Sequence, residues 1–148
     1  MKRLEKDEKM KKIEFVVQGV PIAKSRPKFA VRGGFARAYT PKKTADNAKI
    51  ISGEAMVAMV GRKPLEGALK CVLSFYMPIP KSTSKKDVAK MLSGEIKHVR
   101  KIDLDNAEKQ VLDAMNEIVY LDDAQIVSLS ATKCYSDNPR TEIIIEEV

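Results

Sequence analysis

Between Leu69 and Met77 the chain alternates strictly, with Leu69, Cys71, Leu73, Phe75 and Met77 apolar and one residue between each pair. A period of two puts all five side chains on one face of a strand, and only a sheet can bury that face. Ile13–Val20 reads as a second strand, with Ile13, Phe15 and Val17 on one side. Ile126–Tyr135 and Thr141–Glu147 read as two more, joined by a turn at Asp137-Asn138-Pro139.

Helical spacing fills the gaps. Ala45, Ala48, Ile51, Ala55 and Met59 recur at near-helical intervals, interrupted only by Gly53, after Thr40-Pro41, which resembles an N-cap followed by proline at the first helical position. Ser84 with Asp87 three residues on forms a capping box for a short helix ending near Gly94. Asp105 is placed to cap a third helix, with Val111, Leu112, Met115 and Ile118 on its apolar face. Pro21–Thr40 has no sustained period and is expected to be a loop or a short hairpin closed at Gly33-Gly34. Strands and helices in no strict alternation give an α+β (mixed α/β) fold. The expectation is one compact domain, with a mixed sheet of about four to five strands packed on roughly two or three helices.

The 148 residues suffice for one domain. Tryptophan is absent and aromatics are scarce, so the core is expected to be aliphatic. Residues 1–12 carry six Lys/Arg and three acids with little apolar content, and read as a charged, poorly ordered tail before a domain spanning 13–148. Cys71 and Cys134 lie far apart in apolar runs, and a single histidine cannot complete a zinc site with them. They read as buried free thiols of a reducing compartment. With no apolar stretch of membrane-spanning length and a charged N-terminus, the expected location is the cytoplasm.

The net charge of +7 is unevenly spread. From Pro21 to Ile50 there are eight Lys/Arg against one acid, Asp46, whereas the acids gather in the last third. A basic half beside an acidic pocket suits a polyanion whose backbone is held while metal ions act on it. Lys24, Arg26, Lys28, Arg32 and Lys101 are the candidate phosphate contacts.

Asp103 and Asp105 lie two residues apart before a helix, and Asp122-Asp123 follow it. In an extended segment the first two carboxylates share a side, near a helix N-terminus that favours anions. Four carboxylates brought together need a cation, and magnesium takes oxygen ligands while leaving room for water and phosphate. Two such ions can activate water and stabilise the leaving oxygen of a phosphodiester. Lys109, four residues after Asp105, shares its helix face and is placed to offset charge on a phosphate. An EF-hand loop is excluded, because Ala107 and Glu108 stand where it needs a ligand and a glycine.

The stretch His98–Ile126, HVRKIDLDNAEKQVLDAMNEIVYLDDAQI, is similar to the signature of the RusA family of endodeoxyribonucleases, through Asp103-Leu104-Asp105-Asn106, Lys109, Leu112-Asp113-Ala114 and Asp122-Asp123. Gly19-Val20-Pro21, Lys24-Ser25-Arg26-Pro27-Lys28 and Tyr39-Thr40-Pro41 resemble the family's N-terminal segment. The chain departs from the family pattern at Ile102, Ala107 and Lys28. The resemblance implies a homodimer that resolves four-way DNA junctions by paired, symmetric nicks in magnesium, with manganese as a substitute, in recombination and repair of a bacterium or phage. It implies Asp103, Asp105 and Asp123 as essential carboxylates, Asp122 as a further metal ligand and Lys109 as a catalytic lysine. Asp113 is read as structural and His98 as a surface histidine. Two other readings stay open, a basic DNA-binding module without catalysis and a nuclease for other branched DNA.

Overall fold

The computed structural model describes residues 11–148, the side chain of Arg32 excepted, so most of the charged segment 1–12 lies outside the described residues. The elements in chain order are strand β1 (Lys12–Gln18), β2 (Lys28–Arg32), β3 (Phe35–Tyr39), helix α1 (Lys42–Ala58), β4 (Leu69–Pro78), α2 (Lys85–Ser93), α3 (Leu104–Met115), a single 3-10 turn (Asp123–Gln125), β5 (Ile126–Ser136) and β6 (Arg140–Glu147). The fold is α+β, as the pattern of elements implies. A mixed four-stranded sheet runs β1-β6-β4-β5, and β2 and β3 form a separate antiparallel ribbon.

β4 is the centre of the sheet. It pairs antiparallel with β6 and parallel with β5. The parallel pairing requires a crossover, and α2, α3 and the 3-10 turn are that crossover. The alternation read from Leu69 to Met77 holds, since all five apolar residues are buried. β5 and β6 are joined by only Asp137-Asn138-Pro139, yet they are not a hairpin, because β4 lies between them. Arg140 fastens the turn that straddles the end of β4. Its guanidinium donates to Asn138 O at 2.9 Å, to Ser136 Oγ at 3.3 Å and to Glu142 Oε1 at 3.0 Å, and lies 3.8 Å over the Tyr76 ring of β4.

The core lies between the sheet and α1 with α3. Ile13 and Val17 of β1, Ile51 and Ala55 of α1, Val111 and Met115 of α3, and Ile143 and Ile145 of β6 close around β4. The core is mostly aliphatic, but its two largest fully buried side chains are Tyr120 and Phe75. The α1–α3 seam is also tied by polar groups. Buried Gln110 donates from Nε2 to Thr44 O at 2.9 Å and to Asn47 Oδ1 at 3.1 Å, and Ser52 Oγ donates to Ala114 O at 2.9 Å.

Local sequence explains most boundaries. Ser84 Oγ accepts the Asp87 amide, and Gly94 at φ 83° ends α2. α1 starts one residue later than its Thr40-Pro41 signal implies, with Pro41 itself in the extended capping position. Gly33 and Gly34, at φ 61° and 82°, close the β2–β3 ribbon, where left-handed backbone is needed at both turn positions.

Candidate active site

α3 organises the acidic residues, and its two ends differ. Asp103, at φ −76° and ψ 135°, is the N-cap, so the cap is two residues earlier than expected and Asp105 sits inside the first turn. The Asp103 side chain makes no capping hydrogen bond. Both carboxylates are exposed at the positive end of the helix dipole. One turn on, burial and then the charge of Asp105 raise the Glu108 carboxyl above the ordinary range. Lys109 is exposed on the same helix.

The approach to Asp103 is fixed from the sheet. Lys133 of β5 reaches under the loop and donates from Nζ to Arg100 O at 2.6 Å and to Ile102 O at 2.9 Å. On the other side, the Lys24 amide donates to Asn106 O at 2.9 Å. Two charge-assisted bonds to carbonyls two residues apart hold a loop that the sequence leaves without regular structure.

At the other end, the chain turns sharply after Met115. Glu117 takes φ 66° and its amide donates to Tyr120 O at 2.7 Å, while Tyr120 Oη donates to Leu112 O at 2.8 Å. Asn116 Oδ1 accepts the Asp123 amide at 3.0 Å. From their place after the helix Asp122 and Asp123 are expected to open the next strand, but β5 starts only at Ile126. They form a 3-10 turn ahead of it, capped by Asp122. Gln125 pins that turn, accepting the Leu121 and Asp122 amides and donating to Leu65 O and Gly67 O, both at 3.1 Å.

This reversal brings Asp123 to Asp122 and Asp113. Hydrogen bonding with Asp122, then burial, then the charges of Asp122 and Asp113 hold the Asp123 carboxyl above the usual carboxylate range. Asp113, read from sequence as structural, therefore belongs to the acidic group here, and it is ion-paired with Lys24. Lys24 thus has an intramolecular partner at a position read as a phosphate contact.

The two acidic groups do not meet within one chain. Asp105 and Asp113 both lie on α3, eight residues apart, a rise of about 12 Å. Neither Asp103 nor Asp105 is among the groups that shift Asp123. Among the described residues no cluster of three or more His, Cys, Asp or Glu is arranged to hold a metal ion. The expectation that four carboxylates gather around a cation is therefore not met by a single copy. The donors have the hard oxygen chemistry that magnesium takes, but one chain supplies them as two separate parts.

Beside the loop into Asp103 runs a groove of about 670 Å³ with a mostly apolar lining, to which Lys28, Lys43, Arg100 and Lys101 add cations and His98 and Tyr135 add rings. His98 is not a surface residue. It is 9% exposed, its ring packs 4.7 Å from that of Tyr135, and its Nδ1 finds no hydrogen-bond partner among the described residues. Burial, followed by the charge of Lys133, lowers its pKa. Arg26 is exposed and outside the groove lining, whereas its neighbour Ser25 and Thr44 are in that lining and share a hydroxyl hydrogen bond at 2.8 Å. Arg32 ends β2. Sequence spacing selected Lys109 but missed Lys133, Glu108 and Asp113. Only the helical offsets of Glu108 from Asp105 pointed to any of these three.

A groove with four Lys and Arg in its lining, on the loop that leads to a helix-start pair of carboxylates, suits a protein that holds a polyanion. Residues 18–146 match the family model described as Endodeoxyribonuclease RusA, and the chain belongs to that family of nucleases. The chain is also 36% identical over 140 residues to "Uncharacterized protein YqaN" of Bacillus subtilis (strain 168), covering 92% of this chain and 96% of the relative. No helix among the described residues is long and apolar enough to cross a membrane.

Proposed function

We propose that the protein is a magnesium-dependent endonuclease that resolves four-way DNA junctions by paired nicks, acting as a homodimer in cytoplasmic recombination and repair. The observation that carries the reading is the groove that Lys28, Lys43, Arg100 and Lys101 help to line, on the loop whose next residue after Ile102 is the Asp103 helix cap. Lys28, Arg26, Arg32 and Lys101 hold the phosphate backbone, and the loop clamped by Lys133 presents Asp103 and Asp105 beside it. Asp103, Asp105, Asp122 and Asp123 are the metal-holding carboxylates. Lys109 offsets negative charge developing on the phosphate. When bound, magnesium neutralises the carboxylates, activates water and stabilises the leaving oxygen; manganese, with the same oxygen ligands, is the expected substitute.

The dimer follows from the split site. A cation held by the helix-start pair of one copy and the Asp123 group of another would join two groups that one chain keeps at opposite ends of α3. A two-fold pair of such sites matches two opposed strands of a near-two-fold junction. Exposed Ile50, Met56 and Val57 of α1, with Val60 in the turn after it, supply an apolar surface of the kind that pairs copies.

The test is a synthetic four-way junction incubated with and without magnesium. Wild type should give paired nicks only with the ion, and Asp105→Asn should keep junction binding while losing cleavage by at least about a hundredfold. Shifted bands with no nicked product under any divalent ion would overturn the reading in favour of a binding module.

A further inference from the structure

The β2–β3 ribbon has two faces of different chemistry. Cross-strand pairing sets Phe29 with Ala38 and Val31 with Ala36 on one face, and Lys28 with Tyr39 and Ala30 with Arg37 on the other. The first face is wholly apolar, yet Phe29 and Val31 are each 74% exposed. Phe35, beside the Gly33-Gly34 turn and on the face of Lys28 and Arg37, is 73% exposed. Apart from isolated touches, no other helix or strand packs on the ribbon among the described residues. A two-stranded ribbon is marginal by itself in water, so an exposed apolar face on it is unexplained by the fold.

We propose that this ribbon is a wedge for the open centre of branched DNA. The Phe29–Val31 face lies against the uncovered face of a base pair at the branch point, while Lys28 and Arg37 on the opposite face meet the phosphates of the strand that crosses over. The proposal rests on the branched-DNA reading above and adds how a branch is told from plain duplex. Inside a continuous duplex each base pair is covered on both sides by its neighbours. At a branch point a flat apolar surface opens, framed by phosphates, and the ribbon matches both parts. The side-chain-free Gly33-Gly34 tip is narrow enough to lead the entry. Lys28 belongs to the ribbon and also to the groove that continues through Lys101 toward Asp103, so the wedge and the cutting residues lie on one track. A protein partner would account for the apolar face but not for the cations behind it, in a segment with eight Lys/Arg and one acid.

The test uses the full chain in EDTA, so that no strand is cut. A four-way junction carries a fluorescent adenine analogue at the branch point, and a duplex carries the same analogue internally. Wild type should change the fluorescence of the junction and leave that of the duplex unaltered. The double variant Phe29→Ser/Val31→Ser should lose that change and bind the junction at least about tenfold more weakly, the scale of one lost base-stacking contact, with duplex affinity kept. Lys28→Ala should weaken both substrates. A variant carrying Phe29→Trp should keep the signal, and an unchanged thermal melt of all variants secures the comparison. Equal weakening on junction and duplex, or no change at all, would overturn the wedge. So would a shift in sedimentation of Phe29→Ser/Val31→Ser, because the face would then join copies of this chain. Because the readout needs no cleavage, absence of nicking in magnesium would strike the nuclease reading alone. Normal nicking with no branch-point signal would strike the wedge alone.

Discussion

His98 packs beneath the cationic groove, where burial and Lys133 hold its pKa below the ordinary value of 6.5. Below that pH the unfolded chain binds a proton that the folded chain resists. The unfolded state therefore binds more protons, and stability is full above about pH 6.5 and falls as the pH drops through that value. Urea midpoints measured from about pH 7.5 down to 5 should decline, and His98→Phe should flatten that part of the profile; an unchanged slope in the variant would refute the assignment. Lys133 acts on the site through the loop it holds. Replacing it by methionine keeps the stem but leaves the carbonyls of Arg100 and Ile102 without their donor. Stability should fall by about 1–2 kcal/mol, and both nicking and junction affinity should fall, because the released loop carries Arg100 and Lys101 of the groove as well as Asp103. Chain spacing could find Lys109, which is a helical offset from Asp105. It could not find Lys133, whose role depends on a strand passing under a loop about 30 residues earlier in the chain.

Elements with a strong period were legible and those set by tertiary pairing were not. β4 announces itself because all five of its alternating apolar residues face one core. The α2 capping residues act within one turn, so Ser84 and Gly94 mark its ends. By contrast, the turn Asp137-Asn138-Pro139 reads as a hairpin, and nothing local reveals that β4 is inserted between its arms. Arg140 is what makes that crossing stable, combining hydrogen bonds on the turn with its stack on Tyr76. Arg140→Ala should cost about 1–2 kcal/mol in chemical denaturation, and Arg140→Lys should recover only part of it, since an ammonium cannot both fork and stack. The carboxylates show the same division. Their positions at a helix start and after its end were readable, but the reversal through Glu117 that joins Asp123 to Asp113 depends on Asn116, Tyr120 and Gln125 acting together.

At the scale of the whole molecule, the two acidic groups on either end of α3 make a prediction that separates one copy from two. Asp105→Asn and Asp123→Asn should each be inactive when prepared alone. If each cation is shared between copies, mixing the two variants gives heterodimers in which one site has all its carboxylates and the other lacks two. Such mixtures should regain single nicks but not paired ones, as read on a denaturing gel of a junction labelled on each strand. A mixture as silent as its components would show that both groups serve sites within their own chain.

The place of β4 between β5 and β6 also bears on how the chain is made. β4 finds its partners only in residues from Ile126 onward, and β1 pairs only with β6, the last strand. During synthesis, which proceeds from the N-terminus, the four-stranded sheet has no completed pair until the C-terminal segment emerges. The carboxylates from Asp103 to Asp123 are translated earlier, but the Lys133 clamp and the platform beneath them come later. A chain that stops short, from a premature stop codon or a broken message, carries every acidic residue of the site and has no scaffold to display them. A chain built this way completes the sheet beneath its carboxylates only when its final strand pairs with β1 and β4.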